Sequence, residues 1–129
     1  MKFLLDTHSF LWFIGGHSNL SPTARTLIEE TDNQPLLSKA SLWEMAIKVS
    51  LGKLTLAQSF EVLIPQQIEL NGIELLTIEM EHLAIVAELP FHHRDPFDRL
   101  LIAQAKVEQI PIIGADSQFD AYTTIERLW

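Results

Sequence analysis

Asp6, Glu44, Asp98 and Asp116 are the residues of this chain whose type and placement could do chemistry together. Carboxylates gathered at one point repel each other, so they cannot all stay ionised without a cation among them. Oxygen donors in a chain without cysteine suit hard divalent ions, Mg2+ or Mn2+. Such ions keep several waters and bind phosphate oxygens. The chemistry expected is therefore phosphoryl or phosphodiester transfer, with the ion generating or orienting a nucleophilic water.

Each acid also has a plainer explanation. Asp6 closes an apolar run in LLDTH and could cap the next turn. Glu44 has capping-box spacing from Ser41 and i,i+4 spacing from Lys48. Asp98 sits in a helix first turn, where an acid gains ~0.3–1 kcal/mol from the helix dipole. Asp116, in GADSQF, suits a turn or a cap. These explanations are fair one by one and leave a shared location unexplained.

The elements argue for that shared location. Apolar runs at 2–6, 35–38, 73–78 and 111–115 read as strands, and segments between them read as helices. Ser21 followed by Pro22 opens one helix, and Asp95 followed by Pro96 opens another. SLWEMAIKVSLGKL is a third, with Ser41 and Glu44 as its expected capping box and Gly52 as its stop. Pro65 is expected to kink or restart the segment at 59–71, and residues 79–88 form a short helix. Continuous apolar strands alternating with helices imply a mostly parallel sheet covered on both faces. Such folds carry their sites outside the carboxyl ends of the strands. Asp6 and Asp116 follow strands, Glu44 lies early in a helix that follows one, and Asp98 opens a helix that leads into one. All four then share one edge.

The rest of the chain sets bounds. Its 129 residues make a single domain spanning 1–129, and its apolar content of 47% supports a substantial core. MKFLLDTHSFLWFIGG begins like a signal sequence, but Asp6 and His8 interrupt its apolar stretch. No apolar run approaches the ~20 residues of a membrane span. A soluble, cytoplasmic protein is expected. The formal charge of −8 argues against nonspecific nucleic-acid binding. The distribution argues otherwise, because Lys39, Lys48 and Lys53 flank Glu44 while Arg94 and Arg99 flank Asp98. Lys48, Arg94 and Arg99 are the expected contacts to an RNA backbone. His8, His92 and His93 are further rim residues. The apolar stretch Leu11, Trp12, Phe13 and Ile14 suits either a core helix or a dimer contact.

LLDTHSFLWF, SLWEMAIKVSLGKL, and above all HHRDPFDRLLIAQA followed by IIGADSQFDAY, resemble the PIN-domain family, and within it the VapC-type toxins of type II toxin–antitoxin systems. The resemblance covers essentially the whole chain. It implies a three-layer α/β/α PIN-like fold with a central, mostly parallel sheet of about five strands. Position by position, it puts the family's acidic metal ligands on Asp6, Glu44, Asp98 and Asp116. It implies a Mg2+- or Mn2+-dependent endoribonuclease acting on structured RNA such as tRNA, a homodimer, and a cognate antitoxin that inhibits by covering the acidic pocket. The family often has Thr or Ser two residues before its last aspartate; here that position is Gly114.

Two other functions compete. A phosphatase with Asp6 as nucleophile would need an acid where His8 stands. An inactive PIN-like module would keep the fold and bind RNA or protein without cutting it.

Overall fold

Leu4 and Leu5 are neighbours on one strand and both are fully buried. Successive strand side chains point to opposite faces, so the sheet must be covered on both sides. The computed structural model, which describes residues 1–129, shows this directly. Strand β1 (Lys2–Leu5) lies at the centre of a five-stranded sheet ordered β3-β2-β1-β4-β5. The others are β2 (Gln34–Ser38), β3 (Glu74–Leu76), β4 (Ile112–Ile113) and β5 (Arg127–Leu128). Every pairing is parallel, with Leu5 opposite Leu37 on one side and Ile113 on the other.

One face buries Phe3, Leu5, Leu37 and Ile113 against Phe10, Ala24, Met45 and Ile64. These come from helices α1 (Thr7–Ile14), α2 (Pro22–Glu29), α3 (Lys39–Ser50) and α4 (Phe60–Leu70). The other face buries Leu4, Leu36 and Ile112 against Leu101, Ile102, Ala105, Phe119 and Tyr122. Helix α6 (Pro96–Glu108) supplies three of those, and α5 (Met80–Glu88) packs beside it. The result is the expected three-layer α/β/α arrangement. At ~1.5–3 kcal/mol per buried large apolar side chain, β1 and β4 contribute more than the part-exposed edge strands.

Most helix limits follow the sequence. Ser21 Oγ accepts from the Ala24 amide at 3.0 Å, and Asp95 Oδ1 accepts from Phe97 at 2.8 Å and Asp98 at 3.1 Å. Gly52 follows α3 with φ +72°, the left-handed conformation that ends a helix without strain in glycine. Two expectations change, and one open reading is decided. The capping box at Ser41 and Glu44 does not form. Chain from β2 enters α3 directly, Ser38 Oγ caps it at Ala40 (3.0 Å), and Ser41 lies inside the helix. Pro65 sits within α4 without ending it. Leu11, Trp12, Phe13 and Ile14 belong to α1 and pack against the core, which accounts for their apolarity.

Candidate active site

The chain enters β2 and β3 on one side of β1 and β4 and β5 on the other. The strand order therefore reverses beside β1, and a crevice opens outside the carboxyl ends there. Asp6, directly after β1, borders that crevice. It is buried and caps α1, with Oδ1 accepting from the Ser9 amide at 2.8 Å. Burial raises its pKa, and the Ser9 hydrogen bonds pull against that rise. The other oxygen, Oδ2, lies against Gly114. A Cβ there would stand 2.7 Å from it, so glycine is what lets β4 pass this carboxylate.

Glu44 is buried one turn into α3. Thr7 Oγ1 donates to its Oε1 at 2.7 Å and lies 2.9 Å from Ser41 Oγ, which ties α1 to α3 at the site. Lys48 Nζ stands 2.9 Å from Oε2. The i,i+4 pair expected from sequence thus exists, and it holds the carboxylate in one orientation.

Asp98 opens α6 on the stripe that continues through buried Ile102 and Ala105. Its pKa is pushed up to about 7, first by burial and then by Asp95, Asp6, Glu44 and Asp116. The field of the other three acids at Asp98 is what their convergence predicts. Asp116 is exposed and caps the 3-10 turn Ser117–Ala121 through Oδ1, which accepts from the Gln118 amide at 2.9 Å. Its Oδ2 faces His93 Nε2 at 3.4 Å. The pair is off the line a hydrogen bond needs, and both ring nitrogens of buried His93 lack a hydrogen-bond partner. His93, Asp98 and Asp116 offer ligand atoms within 4.8 Å of one another.

This donor set fits a divalent cation. Two buried or half-buried carboxyls with raised pKa, in the field of two more acids, gain most when a cation enters. A second group, Glu81, His82 and Glu108, does not fit one. His82 Nδ1 accepts from the Glu79 amide at 3.0 Å and Nε2 meets Glu108 at 3.0 Å, so the ring is already satisfied.

The basic residues divide. Lys48 stands at the rim, committed to Glu44. Arg94 is exposed on the loop entering α6. The expectation that Arg99 touches RNA is corrected. Arg99 is buried, and its guanidinium donates to the carbonyls of Pro90, His93, Val86 and Leu89 at 2.9, 3.4, 3.3 and 3.0 Å. It fastens the end of α5 and the following loop to α6, with both terminal nitrogens committed to carbonyls in a buried place. An open groove of about 500 Å3 is lined by His8, Trp12, Lys53 and apolar neighbours, and it meets the acids through Lys48, the partner of Glu44. Trp12 stacks between His8 and His17, at 5.6 and 6.2 Å between ring centroids.

The PIN-domain profile matches residues 3–124. The chain belongs to the PIN-domain family. Solved structures with a similar fold include VapBC2 from Rickettsia felis bound to a DNA fragment from its promoter. That chain is 15% identical with a TM-score of 0.72, over 99% of this chain and 98% of the other. FitAcB from Neisseria gonorrhoeae aligns at 15% identity and TM-score 0.66 over 98% and 96%. VapBC-5 from Mycobacterium tuberculosis, a toxin–antitoxin family member, aligns at 20% and 0.60 over 98% and 97%. Comparison with curated proteins returns no match.

Within this PIN domain, the sequence does not single out Thr7, gives Ser41 only a capping role, and leaves His93 an undifferentiated rim residue. Thr7 follows Asp6 directly and was open to notice. Nothing in HHRD tells which histidine turns inward. Tyr122 decides it by accepting from the His93 amide through its hydroxyl at 3.0 Å and stacking on the ring at 5.5 Å.

Proposed function

We propose that this PIN-domain protein is a Mg2+- or Mn2+-dependent endoribonuclease, the VapC-type toxin of a toxin–antitoxin pair, acting on structured RNA such as tRNA. The observation that carries the reading is the half-buried Asp98, whose ligand atom lies within 4.8 Å of those of Asp116 and His93 and whose pKa is pushed to about 7, first by burial and then by the charges of Asp95, Asp6, Glu44 and Asp116. Asp6, Asp98 and Asp116, with Glu44, would hold the ion. When bound, it supplies the positive charge that lets these acids ionise together and activates water for attack at phosphorus. The protein's own contribution is orientation. Ser9 fixes Asp6 and the Gln118 amide fixes Asp116. Thr7 and Lys48 fix Glu44, whose remaining lone pairs can hold the attacking water or take its proton.

The groove supports RNA despite the acidic chain. The stacked rings of His8, Trp12 and His17 and the ammonium of Lys53 line it together with Lys48, an aromatic and cationic combination of the kind that binds nucleic-acid strands. An antitoxin partner is supported by the shared fold of VapBC-5, a member of a family of toxin–antitoxin systems. The reading includes a single PIN-like domain over 1–129, a homodimer and a cytoplasmic location. No helix is long and apolar enough to cross a membrane.

Asp98→Asn tests it, because Asn keeps the shape and removes the charge. Mn2+ binding by calorimetry and cleavage of a total tRNA pool should both fall at least 100-fold with the fold intact. Glu44→Gln should keep more metal affinity than Asp98→Asn and still lose cleavage. Wild-type protein that binds metal and RNA and never cuts would identify an inactive binding module instead. An Asp98→Asn variant that binds and cuts like wild type would end the proposal.

A further inference from the structure

His93 is the one buried side chain at the site whose polar atoms all lack partners. It is 5% exposed, and it precedes the cap of α6 by two residues. Its ring is enclosed by Phe119 at 5.2 Å and Tyr122 at 5.5 Å. Its backbone is clamped as well: the amide donates to the Tyr122 hydroxyl, and Arg99 donates to its carbonyl. Backbone and ring are thus held in one orientation, and that orientation faces Nε2 toward Asp116 Oδ2. Leaving a buried imidazole without hydrogen bonds is costly. A fold that commits three side chains, Phe119, Tyr122 and Arg99, to fixing such a ring at an acidic cluster gives the nitrogen something to bind.

We infer that His93 is a nitrogen ligand of the divalent ion, joining Asp98 and Asp116, and that it biases this site toward Mn2+ over Mg2+. The inference rests on the metal-dependent reading above. The three side chains already offer their donor atoms within 4.8 Å of one another, a spread that one ion can gather with small movements. Selectivity follows from donor type. Carboxylates and water serve Mg2+ and Mn2+ alike, whereas imidazole favours transition metals and adds little for Mg2+.

The test reads the bond directly. Wild-type protein is loaded with Mn2+ and examined by pulsed electron paramagnetic resonance for an imidazole 14N coupling. Calorimetry with Mn2+ and with Mg2+ runs in parallel on wild type, His93→Phe and Asp98→Asn. Phenylalanine keeps the ring between Phe119 and Tyr122, and His93→Gln serves if the Phe variant fails to fold. The expected result is a 14N coupling in wild type that is lost in the His93 variant, a Mn2+ affinity about 10–100-fold lower, and a smaller loss for Mg2+. No coupling in wild type overturns the inference without any variant, and so does a coupling that survives the substitution. Asp98→Asn separates the two levels. If it abolishes binding while wild type shows no coupling, the acidic site stands and only the role of His93 falls. If it leaves binding unchanged, the site itself is misassigned and the inference falls with it.

Discussion

Asp98 carries two duties that pull in opposite directions. It suits the start of α6, and it is held among other acids where its charge is unwelcome. In the metal-free protein its pKa rises from 3.8 to about 7. A raised carboxyl binds its proton in the native state after the unfolded chain has lost it. The group therefore costs nothing below pH 3.8, costs more as pH rises, and reaches its full penalty above about 7. Asp98→Asn should then stabilise the metal-free protein at pH 8 by about 1–3 kcal/mol, allowing for solvent screening, and by clearly less at pH 5. Urea unfolding in chelator at the two values measures this, and an equal effect at both would contradict the raised pKa. For the same reason Mn2+ affinity should climb from pH 6 to pH 8 with proton release, which calorimetry in buffers of different ionisation heat reads out. Gly114 makes a related point. Its Cβ would meet Asp6 Oδ2 at 2.7 Å and Phe119 at 3.0 Å. Gly114→Ala should cost about 1–3 kcal/mol and weaken Mn2+ binding by displacing Asp6, whereas Ala at exposed Gly15 would meet only the Leu11 carbonyl at 3.2 Å. The alanine also lacks a hydroxyl, so any loss reports space and not a missing donor.

At the scale of elements, the site depends on three helix starts held at one sheet edge. Helices α1 and α6 carry their acids at or near the cap, and α3 carries Glu44 in its second turn. Thr7 joins α1 to α3, and Arg99 joins α6 to the end of α5. Arg99→Leu should destabilise the protein by about 2–4 kcal/mol, because four carbonyls lose a charged donor in a buried place. The urea midpoint measures that cost. Retained stability with lost RNA binding would return Arg99 to the role first expected from its sequence position. Edge strand β5 is only two residues long and is fixed from outside the ladder. Arg127 reaches Asp120 at 2.9 and 3.0 Å and the Gly114 carbonyl at 3.1 Å, which ties it to the strand that carries the site.

For the whole molecule, the sequence leaves Leu11–Ile14 open to a core helix or a dimer contact, and the fold packs these partly buried residues of α1 against the core. Exposed apolar side chains gather elsewhere, from β3 into α5: Leu75 and Ile78 at 38%, Leu83 at 46% and Met80 at 79%. An apolar stretch at a sheet edge is the part of this surface most in need of cover. The double substitution Met80→Glu, Leu83→Glu should leave the fold and Mn2+ binding intact and turn a homodimer into a monomer by sedimentation velocity. A dimer that survives both changes places the contact on another face.

The sequence by itself determined the sheet and the meeting of the acids. Apolar runs flanked by capped helices admit few arrangements other than a parallel sheet covered on both faces. Parallel strands place Asp6, Asp116 and the starts of α3 and α6 on one edge whatever the packing detail. Local signals such as Ser21–Pro22, Asp95–Pro96 and Gly52 were readable because their physics is confined to a few residues. What the tertiary structure decided depends on neighbours distant in the chain. Ser41 lost its expected cap because β2 runs straight into α3 at Ser38. Arg99 turned inward because the carbonyls near the end of α5 needed a donor. His93 was separated from His92 by Phe119 and Tyr122, which lie well downstream and reach it only after α6 and β4 have folded back. Side-chain direction and partnership are set by such long-range contacts, and spacing along the chain does not encode them.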